Sequence, residues 1–404
     1  FISTSSDPAK FENYFVRSGY IAWKTGNFEF RLGRTPVHYG DAVFSAFLPS
    51  DHLPWLDAFT YRYKVGPLVM TSCFGTIDSR ITDDERSIFT GDGAKTLLSE
   101  EGETVRFDDT SNPLKEPVIY VGGNPTDYSF RDTVIFDSLH RFVLSWDRLR
   151  LGFSAYIVVA RENNALQIGD LFPVFSWHNA VLGSNNMNLV FDAGYALLDG
   201  VYLYGQAAWD DINASDIFGI PDSSVPTIGA YLAGISYIPK QLSKMNLHMK
   251  MEIGKTHYLW GNYYAYDSWK GSYLSRAIYR YHAQKGTYWM PLTSPYGPGT
   301  WWIEGQAAAS AFKNMGFTAG FTYLRFNPEV DLFTTPYIYD PSLEDCTSTS
   351  FSAYLKALYA WKLNDSRELI FSITPFWYSY KGNGWPEIEL GVELKGRSVK
   401  DFVK

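Results

Sequence analysis

The chain of 404 residues contains no run of about 18 apolar residues, so no single helix in it can cross a bilayer. Charged residues make up 19%, below the quarter or so that is usual for soluble domains. Two cysteines, Cys73 and Cys346, are too few for a disulfide framework or a cysteine-rich metal site. There is no secretory signal at the start, which reads FISTSSDPAK; for an exported protein the sequence would be a mature or trimmed form. A net charge of −8 provides no basic surface for nucleic acid, which is not expected as a partner. No G-x-S-x-G elbow and no H-E-x-x-H pair occurs, and the seven histidines are scattered. No metal, cofactor or enzyme activity is therefore expected.

Aromatic side chains are what the chain has in quantity: 17% of residues, with 29 Tyr, 28 Phe and 13 Trp. They sit in period-two segments. From Met187 to Leu197 the odd positions are Met, Leu, Phe, Ala, Tyr and Leu, while the even ones begin Asn188, Val190, Asp192 and Gly194. Asp199-Gly200 then marks a tight hairpin turn, and Val201–Trp209 alternates on the way back. Similar hairpins are centred on Thr25-Gly26-Asn27, Gly66-Pro67, Asp147-Arg148, Lys313-Asn314 and Asn364-Asp365-Ser366. A longer link, IPKQLSKMN, joins the strands over Thr227–Tyr237 and Leu247–His257. A final strand places Ile388, Leu390, Val392 and Leu394 on one side and glutamates on the other. Alternating segments of about 10–14 residues suit a tilted membrane crossing, whereas ordinary strands run about 5–6. The expectation is an all-β fold: one transmembrane up-and-down antiparallel β-barrel over residues 1–404. About fifteen strands can be read directly. Single-chain bacterial barrels have even counts, so the reading is 16–18 strands for an intact barrel whose ends are incomplete here.

Short turns alternate with long connections at about 79–133, 161–186, 258–299 and 327–349. In bacterial barrels the long loops face outward and the short turns face the periplasm. The stretch FSAFLPSDHLPWLD, broken by Pro49 and Pro54, reads as irregular backbone rather than strand.

Two groups of residues are candidates for function. The 258–302 region concentrates aromatics with interleaved charges: Trp260, Tyr263, Tyr264, Tyr266, Asp267, Trp269, Arg276, Tyr288 and Trp289. Aromatic faces can stack on the C–H face of a sugar while polar groups bond its hydroxyls, so these are glycan-binding candidates. The alternative for most of them individually is that they pack a loop into the lumen or line an interfacial girdle. The second group is Arg34, Arg62, Arg141, Arg150, Glu252, Glu304, Gln306 and Lys356, placed on or beside inner faces because charge in hydrocarbon is costly. They could set pore selectivity or bridge strands inside a blocked barrel.

Several stretches together resemble the Wzi-type capsule-assembly family of outer-membrane barrels: RLGRTPVHYG, FLPSDHLPWLDAFTYRYKVGPL, LHRFVLSWDRLRLGFSAYIVVARENNALQIGDLFPVFSWHN, SNNMNLVFDAGYALLDGVYLYGQAAWDD and YWMPLTSPYGPG. The resemblance implies a large barrel in the bacterial outer membrane, a largely occluded lumen, and contact with surface polysaccharide from outside. Outer-membrane lipid and lipopolysaccharide would surround it. Two departures stand out: family members carry a helical periplasmic part ahead of the first strands, and the acidic 79–133 insertion is not obviously part of the pattern. The rival reading is a porin that passes small solutes through a charged lumen.

Overall fold

The computed structural model describes residues 18–78, 133–162, 184–213, 226–239, 246–263, 274–283, 286–312, 314–335, 337, 339–364, 367–380 and 383–396, with short pieces at 3–4, 11–12, 82, 85, 103–106, 118–121 and 124–126. Fifteen strands form one continuous sheet. In chain order they are β1 (Gly19–Thr25), β2 (Phe28–Thr35), β3 (Leu56–Val65), β4 (Leu68–Ile77) and β5 (Thr133–Ser145). Then come β6 (Leu149–Glu162), β7 (Ser184–Leu198), β8 (Val201–Asp211), β9 (Ile228–Tyr237) and β10 (Asn246–Thr256). The last are β11 (Thr300–Phe312), β12 (Met315–Phe326), β13 (Ser348–Asn364), β14 (Arg367–Tyr380) and β15 (Asn383–Gly396). Each strand pairs antiparallel with the next, giving the up-and-down order expected of a membrane barrel. The fifteen match the strands read directly from the alternation; among the described residues no sixteenth joins them.

The period-two pattern becomes two faces. Phe191, Tyr195 and Leu197 on β7 are 48%, 41% and 42% exposed, while Asp192 between them is 5% exposed. The same parity puts Met249, Met251 and Ile253 of β10 outward and Glu252 inward. Outward aromatics gather near both strand ends. Trp23, Trp146, Tyr237 and Trp361 lie towards the short turns, and Tyr231, Trp377 and Tyr380 towards the long loops. Amphipathic rings favour the two headgroup levels, and an apolar band between them faces the acyl chains.

The hairpins turn where glycine permits: Gly26, Gly66 and Gly200 have φ of 55°, 54° and 83°, a left-handed region that costs glycine little. Glycine also makes room inside the wall. A Cβ on Gly254 of β10 would sit 2.2 Å from the Trp302 ring, which lies flat across the neighbouring strand.

At the long-loop end, residues 36–55 do not continue either strand. They leave β2, fold inward and return to β3, and Ala42, Ala46, Phe47 and Leu48 are at most 1% exposed. A segment joining β2 to β3 thus packs against β8, β10 and β11, many strands away in the sheet order. That contact requires the sheet to curve round a lumen with 36–55 inside it.

Candidate functional site

The plug, residues 36–55, is held by the inward polar groups of the facing wall. The Glu252 carboxylate of β10 accepts the backbone N–H groups of Val43, Phe44 and Ser45, the last two at 3.2 and 3.0 Å. It also accepts the hydroxyls of Ser45 at 3.2 Å and Tyr204 at 2.8 Å. Successive N–H groups converging on one carboxylate make an anion nest, which compensates a buried charge for its lost water. Gln206 accepts the Phe47 N–H at 3.0 Å, and Arg150 and Tyr202 both bond Asp41. Gly40 has φ of 95°, and a Cβ there would lie 2.4 Å from the Gln206 amide nitrogen, so the plug meets the wall backbone-first. The Phe47 ring is set edge-on to Trp260 and Trp302, with centroids 5.4 and 6.3 Å away.

Above the plug the long connections interlock into a cap. A hairpin of two short strands, Ile278–Ala283 and Gly286–Pro291, lies within the 258–299 connection. His52 of the plug bridges to it: its Nε2 donates to the Pro291 carbonyl at 2.8 Å, which leaves Nδ1 to accept from Ser50 at 2.9 Å. Burial holds the imidazole pKa below its usual value, which suits this neutral tautomer. The Tyr279 hydroxyl donates to the Trp55 carbonyl at 2.6 Å. Arg280 grips Glu85 through Nε and Nη2 at 2.9 and 2.6 Å, with both side chains fully buried. Arg276 donates to the carbonyls of Leu332 and Phe333, and Asn262 to that of Thr335.

The glycan-binding candidates separate on this frame. Trp260 is 1% exposed, and its Nε1 donates to Thr293 at 3.1 Å. It is a packing residue of the cap, corrected from a surface contact because the plug covers its ring. Arg276 is 5% exposed and spends its guanidinium on carbonyls, so it too is removed from the outer surface. Tyr288 is 39% exposed and stacks on Tyr281 at 5.5 Å. Trp289 is half-buried, edge-on to Phe333 at 4.3 Å, and Tyr263 is also half-buried. Tyr264, Tyr266, Asp267 and Trp269 lie outside the described residues. Sequence reasoning passed over Tyr339, 51% exposed, because its loop, with Phe333, Tyr337 and Tyr339, is less aromatic than the 258–302 region.

Seven of the eight lumen candidates have inward parity. Arg141 pairs with Asp192 at 2.5 and 2.7 Å and with Ser154 at 2.8 Å, deep in the wall. Glu304 accepts the Tyr296 hydroxyl, and Gln306 donates to the Tyr354 hydroxyl at 2.7 Å. Lys356 is half-exposed and Arg62 is exposed to the lumen. Arg34 is a correction. It shares the outward parity of Phe28 and Leu32, at the long-loop rim. There it forks onto Asp57 at 2.7 and 2.6 Å and lies 4.5 Å over the Trp55 ring.

No protein-family model matches the chain, and no curated protein matches it. Solved structures do. Wzi of Escherichia coli, described as an outer-membrane protein involved in group 1 capsule assembly and a carbohydrate-binding β-barrel, is similar with a TM-score of 0.55 at 14% identity, over 93% of this chain and 68% of that one. The fold is that of a bacterial outer-membrane β-barrel. OccK11 (OpdR) of Pseudomonas aeruginosa is similar over 93% of this chain and 79% of its own, with a TM-score of 0.42 at 6% identity. The outer-membrane channel DcaP of Acinetobacter baumannii is similar over 84% and 83%, with a TM-score of 0.34 at 9% identity. At these identities the likeness concerns the fold alone, and the outer membrane is where such a wall belongs.

Proposed function

We propose that this barrel is occluded and holds surface polysaccharide against its long-loop face, in the manner of a Wzi-type protein, with outer-membrane lipid and lipopolysaccharide around its apolar band. The observation that carries the reading is the plug: residues 36–55 cross the lumen and are tied to Glu252, Gln206 and Arg150. Glu252 and Arg150, bonded to this internal segment, are not available to select solutes. Among the described residues of the long connections, Tyr288 and Tyr339 are aromatics exposed to meet a sugar from outside, and Trp289 and Tyr263 are half-buried. On this reading the protein binds glycan and breaks no bond.

The test pairs two measurements on the purified chain. In planar bilayers it is expected to be silent; on immobilised bacterial surface polysaccharide it is expected to be retained. Replacing Tyr288 and Tyr339 together by Ala should weaken retention several-fold while the barrel stays folded. Stable open channels with no glycan retention would replace this reading with the porin. One observation favours that second reading: the inner wall over β13–β15 is not covered by the plug, and Lys356 stays half-exposed there.

A further inference from the structure

Beneath the plug, at the short-turn end, the lumen opens into a cavity of about 590 Å³. Its roof is the first stretch of the plug, Pro36–Gly40, and its walls are the inward faces of β2 to β6. By the usual orientation of bacterial barrels this mouth faces the periplasm. The volume falls within the roughly 300–1,000 Å³ typical of small-ligand sites. Four arginines line it: Arg31, Arg62, Arg141 and Arg150.

Three of these arginines are each matched by a carboxylate of the protein itself. Arg31 bonds Glu29 at 2.8 and 2.5 Å, Arg141 bonds Asp192 at 2.5 and 2.7 Å, and Arg150 bonds Asp41 of the plug. The wall thus takes an oxyanion at one position after another. Arg62 is the exception. It lies directly across the strand pair from Glu29, but Glu29 is engaged by Arg31. Among the described residues no carboxylate lies within ion-pair distance of Arg62. Its other cross-strand neighbour is Thr71, which lines the same wall and sets a hydroxyl beside the guanidinium. A planar fork with spare donors, in a cavity partly screened from bulk water, favours a planar or tetrahedral oxyanion over a neutral solute.

We infer that this vestibule is a binding site for an oxyanion, a carboxylate or a phosphate carried on a small solute, with Arg62 as its principal contact. Asp41 on Arg150 is the internal counterpart of that ligand, supplied by the plug. The site is at the opposite end of the barrel from Tyr288 and does not depend on whether the outer loops hold glycan.

The test is calorimetric titration of the purified full chain in neutral detergent with inorganic phosphate, with glucuronate, and with glucose as the uncharged control. Saturable binding of phosphate, glucuronate or both is expected, with none for glucose. The anion that binds identifies the source of the charge. In Arg62→Gln the affinity should fall about tenfold or more, the loss expected when a charge-assisted contact is removed. Arg62→Lys, which keeps the charge and loses the fork, should fall between the two. Heat-modifiable migration on a gel shows that each variant is folded, and Tyr288→Ala should bind the anion as the parent does. Absence of saturable binding by either anion, equal binding of glucose, or unchanged affinity in folded Arg62→Gln would each overturn the proposal.

Discussion

The inner wall has two halves that differ in what covers them. Over β4–β11, at the level of the plug, inward side chains are sealed: Cys73, Tyr156, Val190, Ala208, Glu252 and Trp302 are at most 1% exposed. Over β13–β15 the same parity leaves Ser352, Tyr354 and Lys356 half-exposed and Glu387, Glu389 and Glu393 exposed. Both halves are polar by sequence and both avoid hydrocarbon for the same electrostatic reason. The difference comes from residues 36–55. On the covered half, polar groups find partners in the plug or in each other; Glu252 collects three backbone N–H groups. On the uncovered half they pair along the sheet, with Gln306 on Tyr354 and the rings of Phe376, Tyr378 and Trp385 stacked 5.8 and 6.1 Å apart. A polar lumen face therefore does not by itself make a pore. What decides is whether another segment uses up its hydrogen-bonding capacity.

The largest expected effect comes from removing that segment. Replacing residues 37–54 by a short Gly-Ser link should keep β2 and β3 paired, since they are hydrogen-bonded neighbours. It should turn a silent barrel into one with stable conductance in planar bilayers. Glu252→Ala should produce the same change part of the time, as brief openings, because Gln206 and Arg150 still hold the plug. A plugless barrel that stayed silent would mean that the cap or the uncovered half closes the lumen, and the contrast between halves would lose its meaning.

A second comparison sets buried against wet charge. Arg141 and Asp192 have side chains 3% and 1% exposed. Arg141→Ala strands a buried carboxylate and should cost about 3–5 kcal/mol of stability. Lys356→Ala on the uncovered half should change stability by no more than about 0.5 kcal/mol, as for an ordinary wet position. Urea-dependent unfolding of the two variants in lipid checks both. Similar losses would show that the two halves are equally sealed.

Much of the wall was legible because period-two alternation is a local property. The Asp199-Gly200 turn and the outward Phe191, Tyr195 and Leu197 followed from neighbouring residues alone. The plug was half legible. Its prolines marked irregular backbone, but its docking on Glu252 joins residues more than two hundred positions apart, and no local pattern carries such a contact. Trp260 was left open between glycan contact and packing for a related reason: an aromatic in a loop looks the same in sequence whether it meets a sugar or Phe47. Arg34 could have been read correctly. Counting parity from Leu32 puts it on the outward face, and only the habit of assigning charge to the lumen put it inside.

The cap above the covered half offers the finest test, because it depends on one neutral imidazole. His257 is the first residue past β10, at the rim, with its side chain 16% exposed. Its Nδ1 accepts the Leu259 N–H at 3.1 Å, which a protonated nitrogen cannot do. Burial, with a smaller contribution from Lys255, lowers its pKa from 6.5 to about 4. The Glu344 carboxylate lies 3.9 Å from its Nε2. The folded cap therefore binds fewer protons at this site than the opened one. Its stability is full above pH 6.5, declines as pH falls from about 6.5 to about 4, and levels off below that. Amide exchange over residues 258–262, corrected for intrinsic rates, should show more opening at pH 5 than at pH 7. His257→Asn places a non-titrating oxygen where it can accept the same N–H in an Asx turn, and should flatten this dependence. An equal slope in parent and variant would assign the pH response to another group. A flat parent would mean that the cap does not open at this hinge, and the sealed half would then be held from the plug alone.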